Sequence, residues 1–305
     1  NPSFVGMDIG ELADGEPIGV AVTDDPEMVF KEAADLMVVA TTSFLSDVKN
    51  DILAGIRRGL NVITTAEEAV YPWITDPVCA DELDALARDQ GVSVIGVGLN
   101  PGFIFDTLLL TVSSIAWDVE AIRVRRVVDI SSFSATVQRR LGIGFSAELF
   151  ASGVRAGRIT GHIGFPQSFH IVAKCLGKEI TRIQSSFEPL IADRTYSQGQ
   201  LTVMPGTTAG FVQHYQAICG RRPWISAEFI AHVDPNTDGY EPADSINIDG
   251  YNPLSLLIRP GCNPQLGSAA MISNVIPRLI GARPGYLTVA DLSLPHACIT
   301  TGSFS

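Results

Sequence analysis

Residues able to do chemistry gather in four stretches of the sequence. Glu67 and Glu68 follow a strand expected at 61–65, at the carboxyl end where ligands bind in an open parallel sheet. A carboxylate there can act as a general acid or base if a closed apolar pocket raises its pKa, and Tyr71, Pro72 and Trp73 could supply one. The same pair also reads as the solvated N-terminus of a helix, where the dipole favours acids. Arg125, Arg126 and Asp129 lie on an alternating strand. One arginine can fix an anionic group or a catalytic carboxylate while the other faces solvent, or they can form a structural ion pair. His162 sits in the glycine-flanked turn Gly161-His-Ile-Gly-Phe-Pro166, and such a histidine is more often a hydrogen-bonding residue than a catalyst. The fourth stretch is Gly98-Leu-Asn-Pro-Gly102, a turn whose backbone can approach a ligand closely because its glycines carry no Cβ.

The elements that must position these residues alternate in type. Strands are expected at 18–23, 36–40, 61–65 and 92–97, and helices at 24–33, 47–58 and 81–88. Val48, Ile52, Leu53 and Ile56 share one face of the second helix, and Thr41 and Thr42 follow the second strand. Short loops between alternating strands and helices mean βαβ units, hence a parallel sheet with right-handed crossovers. Past the turn at 98–102, Asp106 and Thr107 mark a helix entry within 103–110. The pattern then changes. Strands are expected at 121–130, 180–192, 200–203, 224–233 and 245–248, with a helix at 167–176, which makes an α+β segment on a mixed or antiparallel sheet. A helix at 268–280, of the kind that packs back on the first domain, precedes a polar tail beginning at Pro284.

Composition narrows the function classes. The 305 residues, 46% apolar and 18% charged, can bury a large core and are comfortable for two domains. A net charge of -12 leaves no basic stripe to neutralise phosphates, so no nucleic-acid partner is expected. The five cysteines (79, 175, 219, 262 and 298) never form a CxxC pair and read as reduced thiols. Apolar runs fall short of a membrane span and no signal peptide is visible, so the expectation is a soluble, cytoplasmic protein with no membrane partner. Neither metal-ligand spacing nor a GxSxG elbow occurs, so no metal is expected and hydrolysis loses its cheapest supports. A GxGxxG phosphate loop is absent as well, which leaves a nucleotide site resting on architecture alone.

Seven motifs, in order along the chain, are similar to one family. They are Ala66-Glu-Glu-Ala-Val-Tyr-Pro-Trp73, Gly98-Leu-Asn-Pro-Gly-Phe-Ile-Phe-Asp-Thr107, Arg125-Arg-Val-Val-Asp-Ile130 and Gly161-His-Ile-Gly-Phe-Pro-Gln-Ser168, then Pro205-Gly-Thr-Thr-Ala-Gly210, Asn274-Val-Ile-Pro277 and Pro284-Gly-Tyr-Leu-Thr-Val-Ala-Asp-Leu292. Together they resemble the 2,4-diaminopentanoate dehydrogenases and native amine dehydrogenases, which share the dihydrodipicolinate reductase-like fold. The resemblance implies an α/β protein with a Rossmann-type parallel-sheet domain (1–104 and 268–305) and an α+β substrate and dimerisation domain (105–267). It implies NAD or NADP as cofactor, and interconversion of an amine with a ketone or aldehyde plus ammonia, by a homodimer.

Carried onto this sequence, the resemblance puts the amine-handling carboxylate on the Glu67-Glu68 pair, with Glu68 favoured. Phe103, Tyr71, Trp73 and Phe133 would make a fairly apolar substrate pocket, bordered by Arg125 or Arg126 and by His162. Asn100 and Pro101 would lie against the nicotinamide, and Thr41, Thr42 and Ala66 near the rest of the cofactor. The sequence departs from the family at its beginning. Asn1-Pro-Ser-Phe looks like the end of the family's first helix and runs almost directly into Val5, so the phosphate loop and the residue choosing NAD from NADP are expected to lie outside these residues. Two other classes stay open: an ammonia-independent C=C or C=O reductase on the same fold, and a non-enzymatic relative that binds a small ligand.

Overall fold

A computed structural model describes residues 2–197 and 201–293, in two units that divide after Asp35. The first unit holds α1 (Ile9–Leu12) and α2 (Pro26–Val29). The strand expected at 18–23 is reduced there to one antiparallel bridge between Asp8 and Ala21. The reason is local: the Asp8 carboxylate accepts from the amides of Ile18 (3.0 Å), Gly19 (2.7 Å) and Val20 (3.1 Å), donors that a sheet would otherwise pair. The helix expected at 24–33 is a single turn, with Pro26 at its first position and Asp25 accepting from the Glu27 amide.

The second unit begins with β1 (Leu36–Val39), α3 (Leu45–Arg57), β2 (Asn61–Thr64), α4 (Pro77–Gln90), β3 (Ser93–Gly96) and α5 (Thr107–Ser113). It continues through β4 (Ala121–Asp129), α6 (Ala135–Arg140), α7 (Ala147–Arg155) and α8 (Phe165–Cys175). Four strands follow, β5 (Arg182–Ile191), β6 (Thr208–Cys219), β7 (Arg222–His232) and β8 (Ala243–Asp249). It ends with β9 (Leu254–Ile258), α9 (Pro264–Ile280) and β10 (Gly285–Leu287).

The expected parallel sheet is present, in the order β1-β2-β3-β10. Its short apolar strands are covered on both faces, because successive residues point to opposite sides. Val62 and Val94 pack under Val48, Ile52, Ile56 and Leu83 of α3 and α4, while Ile63 and Ile95 face Met271, Val275 and Leu279 of α9. The polar tail expected from Pro284 is instead a buried strand: Gly285, Tyr286 and Leu287 pair with β3, and the Tyr286 hydroxyl donates to the Ala69 carbonyl at 2.7 Å. α4 starts earlier than the spacing suggests because Asp76 caps it and Pro77 opens it, and Gly91 ends it in the left-handed region at φ 70°.

The second sheet runs β5-β6-β7-β4-β8-β9 and is antiparallel except where β4 lies parallel to β7. Ile122, Val124, Ile225 and Ile246 turn one face onto Leu109 of α5 and Phe165, Phe169 and Val172 of α8. Four elements here have no counterpart in the sequence reading: α6, α7, β6 and β9. The strand expected at 200–203 amounts to a bridge between Tyr196 and Val203, and Gln200 lies outside the described residues.

The helix entry expected at 103–110 begins at Thr107, because Asp106 caps it. The buried Asp106 carboxylate accepts from the Gly102 amide (2.7 Å), the Thr107 amide (2.6 Å) and the Ser168 hydroxyl (2.7 Å), fastening the 98–102 turn to α5 and α8. Burial pushes this carboxyl above its ordinary range, although all three donors pull the other way.

Gly96 decides how closely β3 meets the short turn that follows β2. A Cβ on Gly96 would stand 2.5 Å from the Ala69 carbonyl and the Val70 amide, backbone that cannot swing aside. Gly96→Ala is therefore expected to lower stability by about 1–3 kcal/mol, read as a shift in the urea unfolding midpoint at unchanged slope.

Candidate active site

Three segments meet at the carboxyl ends of β2 and β3. After β2 the chain makes a 3-10 turn at Glu67–Val70; after β3 it makes the 98–102 turn; and the residues before α8 lie over both. Gly164 permits that last approach, since a Cβ there would fall 2.2 Å from the Pro101 ring.

Glu67 is held from three directions. Its Oε2 accepts from the amides of Ile163 (3.0 Å) and Gly164 (2.9 Å) at the N-terminus of α8, and lies 2.7 Å from His162 Nδ1. Its Oε1 accepts from the Ser43 hydroxyl at 3.0 Å. Burial alone would raise the pKa of this carboxyl. The His162 imidazole, the Ser43 hydroxyl and the Ile163 amide together outweigh that and hold it below the ordinary carboxylate range. The other imidazole nitrogen, Nε2, accepts from Asn100 Nδ2 at 2.9 Å. Both ring nitrogens therefore have polar partners, Glu67 at Nδ1 and Asn100 at Nε2.

Asn100 thereby keeps its carbonyl oxygen, which is buried without a hydrogen-bond partner. The turn carrying His162 is fixed by Gln213, whose Oε1 accepts from the His162 amide at 2.9 Å. Gln213 Nε2 donates to the carbonyls of Thr160 and His162, both at 3.3 Å.

Asn100 and His162 line a cavity of about 200 Å³ together with Arg126 and Ser268. Its walls are apolar, with Val128, Ile130, Phe133, Val137, Leu141, Phe211 and Phe229 among them. Arg126 is buried and pairs with Asp244 at 2.8 Å. Of the residues singled out from sequence, Asn100, His162, Arg126 and Phe133 line this cavity, while Glu67 stands behind His162 and Pro101 adjoins Asn100.

Others do not border the cavity. Glu68 accepts from the Leu45 amide, the first N–H of α3, at 2.9 Å. Arg125 points to the opposite face of β4, where it pairs with Glu228. Tyr71 stacks on His170 of α8 at 6.0 Å, and Trp73 meets the edge of Tyr286 at 5.6 Å. Phe103 packs against the cores under both sheets. Thr41 and Thr42 follow β1, with the Thr42 hydroxyl donating to Asp47 at 3.2 Å, and Ala66 is fully buried.

Gln213, Asp244 and Ser43 went unnoticed in the sequence. Only Asp244 left a signal, standing one residue before the strand expected at 245–248. An aspartate adjoining an alternating strand, opposite another strand bearing arginines, is a candidate cross-strand partner.

A doubly covered parallel sheet, a second mixed sheet, and polar residues converging at the strand ends define a Rossmann-type α/β fold with a candidate site at its strand ends. The structure is similar to that of an amine dehydrogenase from Mycobacterium smegmatis, with a TM-score of 0.86 at 25% identity over 98% of this chain and 88% of the other. In sequence it is 32% identical over 285 residues to the 2,4-diaminopentanoate dehydrogenase of Acetoanaerobium sticklandii, covering 93% of this chain and 80% of that one. It is 24% identical over 322 residues to an amine dehydrogenase of Streptomyces virginiae, covering 97% and 88% respectively. Residues 103–303 match the 2,4-diaminopentanoate dehydrogenase C-terminal domain. The chain belongs to the 2,4-diaminopentanoate dehydrogenase family.

The depressed pKa of Glu67 has a consequence for stability. Its contribution is present above the unfolded-state value, about 4.3, and is lost as pH falls through the lower folded value. Urea unfolding followed across that acid range should show a steeper loss in the wild type than in Glu67→Gln, which has no carboxyl to protonate.

Proposed function

We propose that this chain is an NAD(P)-dependent amine dehydrogenase, joining a ketone or aldehyde with ammonia to give an amine and running the reverse deamination. The observation that carries the reading is the hydrogen-bonded series Glu67–His162–Asn100 beside an apolar cavity. Forming an iminium from a carbonyl and ammonia takes a proton from ammonium and gives one to the departing water. His162 can take that proton at Nε2 once Asn100 Nδ2 releases this atom, and the imidazolium formed is stabilised by the Glu67 carboxylate 2.7 Å from Nδ1. The same negative charge favours the developing iminium. The unpaired carbonyl oxygen of Asn100 is free to accept an N–H from ammonia or from a nicotinamide carboxamide.

That buried, unsatisfied acceptor fits a nicotinamide. Asn100 and Pro101 would hold its ring, with Thr41, Thr42 and Ala66 at the ends of β1 and β2 toward the ribose and phosphates. When bound, the cofactor supplies or accepts the hydride, and the chain's own part is to orient, to exclude water and to move protons. We assign cofactor binding to 1–104 and 268–305, and substrate binding to 105–267. We assign a homodimer to the outer face of the second sheet, a polar face on which Arg125 and His214 pair with Glu228 and Arg123 with Asp249. The described cysteines are free, in keeping with a cytoplasmic setting, and no described helix is long and apolar enough to cross a membrane.

Two measurements test the reading. Reduced nicotinamide consumption with a panel of ketones and aldehydes is expected to depend on ammonium; consumption without ammonium would instead indicate a carbonyl or alkene reductase. Glu67→Gln and His162→Gln should each lower kcat by about a hundredfold or more while circular dichroism stays native. Glu68→Ala should mainly cost stability, about 1 kcal/mol for the lost hydrogen bond to the Leu45 amide. Abolished turnover in a folded Glu68→Ala protein would transfer the catalytic role to Glu68.

A further inference from the structure

We infer that Asp244 sets the charge of the substrate: by neutralising Arg126 it makes the cavity select an uncharged carbonyl compound over one bearing a carboxylate. The inference rests on the amine dehydrogenase reading and refines it. Arg126 and Asp244 are direct cross-strand neighbours on β4 and β8, with side chains only 3% and 2% exposed. The guanidinium donates Nη1 to Asp244 Oδ1 and Nη2 to the Cys262 carbonyl, each at 2.8 Å. Asp244 Oδ2 in turn accepts from the Cys262 amide at 2.7 Å, which closes a ring of hydrogen bonds around the pair.

Arg126 is the cavity's permanent cation, and its charge is already matched by a carboxylate. An incoming carboxylate would either compete with Asp244 inside this ring or lie among Val128, Phe133, Phe211 and Phe229 without a counter-ion. Among the described residues that line the cavity none is a carboxylate, so a second ammonium on the substrate would find no anion among them. One relative is named for a diamino acid. This cavity suits a monofunctional apolar ketone or aldehyde better.

The test compares 4-oxopentanoate with its neutral isostere, 5-methylhexan-2-one, each with ammonium and reduced nicotinamide cofactor. The wild type is expected to favour the neutral ketone in kcat/KM by on the order of a hundredfold. Asp244→Asn, which keeps an acceptor for the Cys262 amide but frees the arginine's charge, should move that ratio toward the acid by about tenfold or more. Because the ratio is internal to each preparation, a general loss of activity leaves it unmoved. Equal or better use of 4-oxopentanoate by the wild type would overturn the inference, and an unchanged ratio in a folded Asp244→Asn protein would remove Asp244 from the role. If that variant does not fold, the wild-type ratio decides alone. Should neither ketone be reduced in an ammonium-dependent way while 4-oxopentanoate and 5-methylhexan-2-one both bind, the amine dehydrogenase reading falls and this inference with it.

Discussion

The Glu67 carboxylate is a structural crossroads as much as a chemical one. Ser43 reaches it from the turn after β1, the amides of Ile163 and Gly164 from the start of α8, and His162 from the turn before that helix. These segments belong to different layers, and the carboxylate is their shared acceptor. An anion with this many donors is strongly localised, and charge-assisted bonds of this kind are about twice as strong as neutral ones. The position of the histidine relative to the first sheet is therefore set by electrostatics at one atom, with Pro101 against Gly164 excluding other arrangements by contact.

Around this anchor the polar groups are organised in closed sets. Asp106 fastens the 98–102 turn, Gln213 fastens the histidine turn, and Asp244 fastens Arg126. Each is buried and each satisfies more than one neighbour, which is how buried polar groups become rigid instead of costly. Among the described residues Asn100, Gln138 and Gln167 each keep a buried side-chain oxygen without a partner, and of these only Asn100 lines the cavity.

The sequence made the first sheet readable because β1, β2 and β3 are short apolar runs between amphipathic helices, a pattern set by local residues. It failed where distant residues decide the outcome. Gly285-Tyr-Leu287 reads as tail until β3 offers it an edge, and residues 18–23 read as a strand until Asp8 takes their amides. The turn carrying Asn100 and the turn carrying His162 were legible, as turns, from glycine and proline spacing. The different partners of Glu67 and Glu68 were not, since adjacent carboxylates look alike in one dimension and only the approach of α8 and α3 separates them. Arg125 and Arg126 pose the same problem, and here the alternation of β4 did imply that one must face away.

The placement of β10 gives the chain a timetable. β3 is made early, yet the strand that covers its free edge, Gly285–Leu287, comes only after the whole second sheet and α9. During synthesis, β3 and the wall of Ile63 and Ile95 must wait with an open edge and an uncovered apolar face until the last tenth or so of the described chain emerges. Open edges of this kind are what chaperones shield and what aggregation exploits. A ribosome that stalls before Gly285 would release a product whose parallel sheet lacks the strand that covers β3.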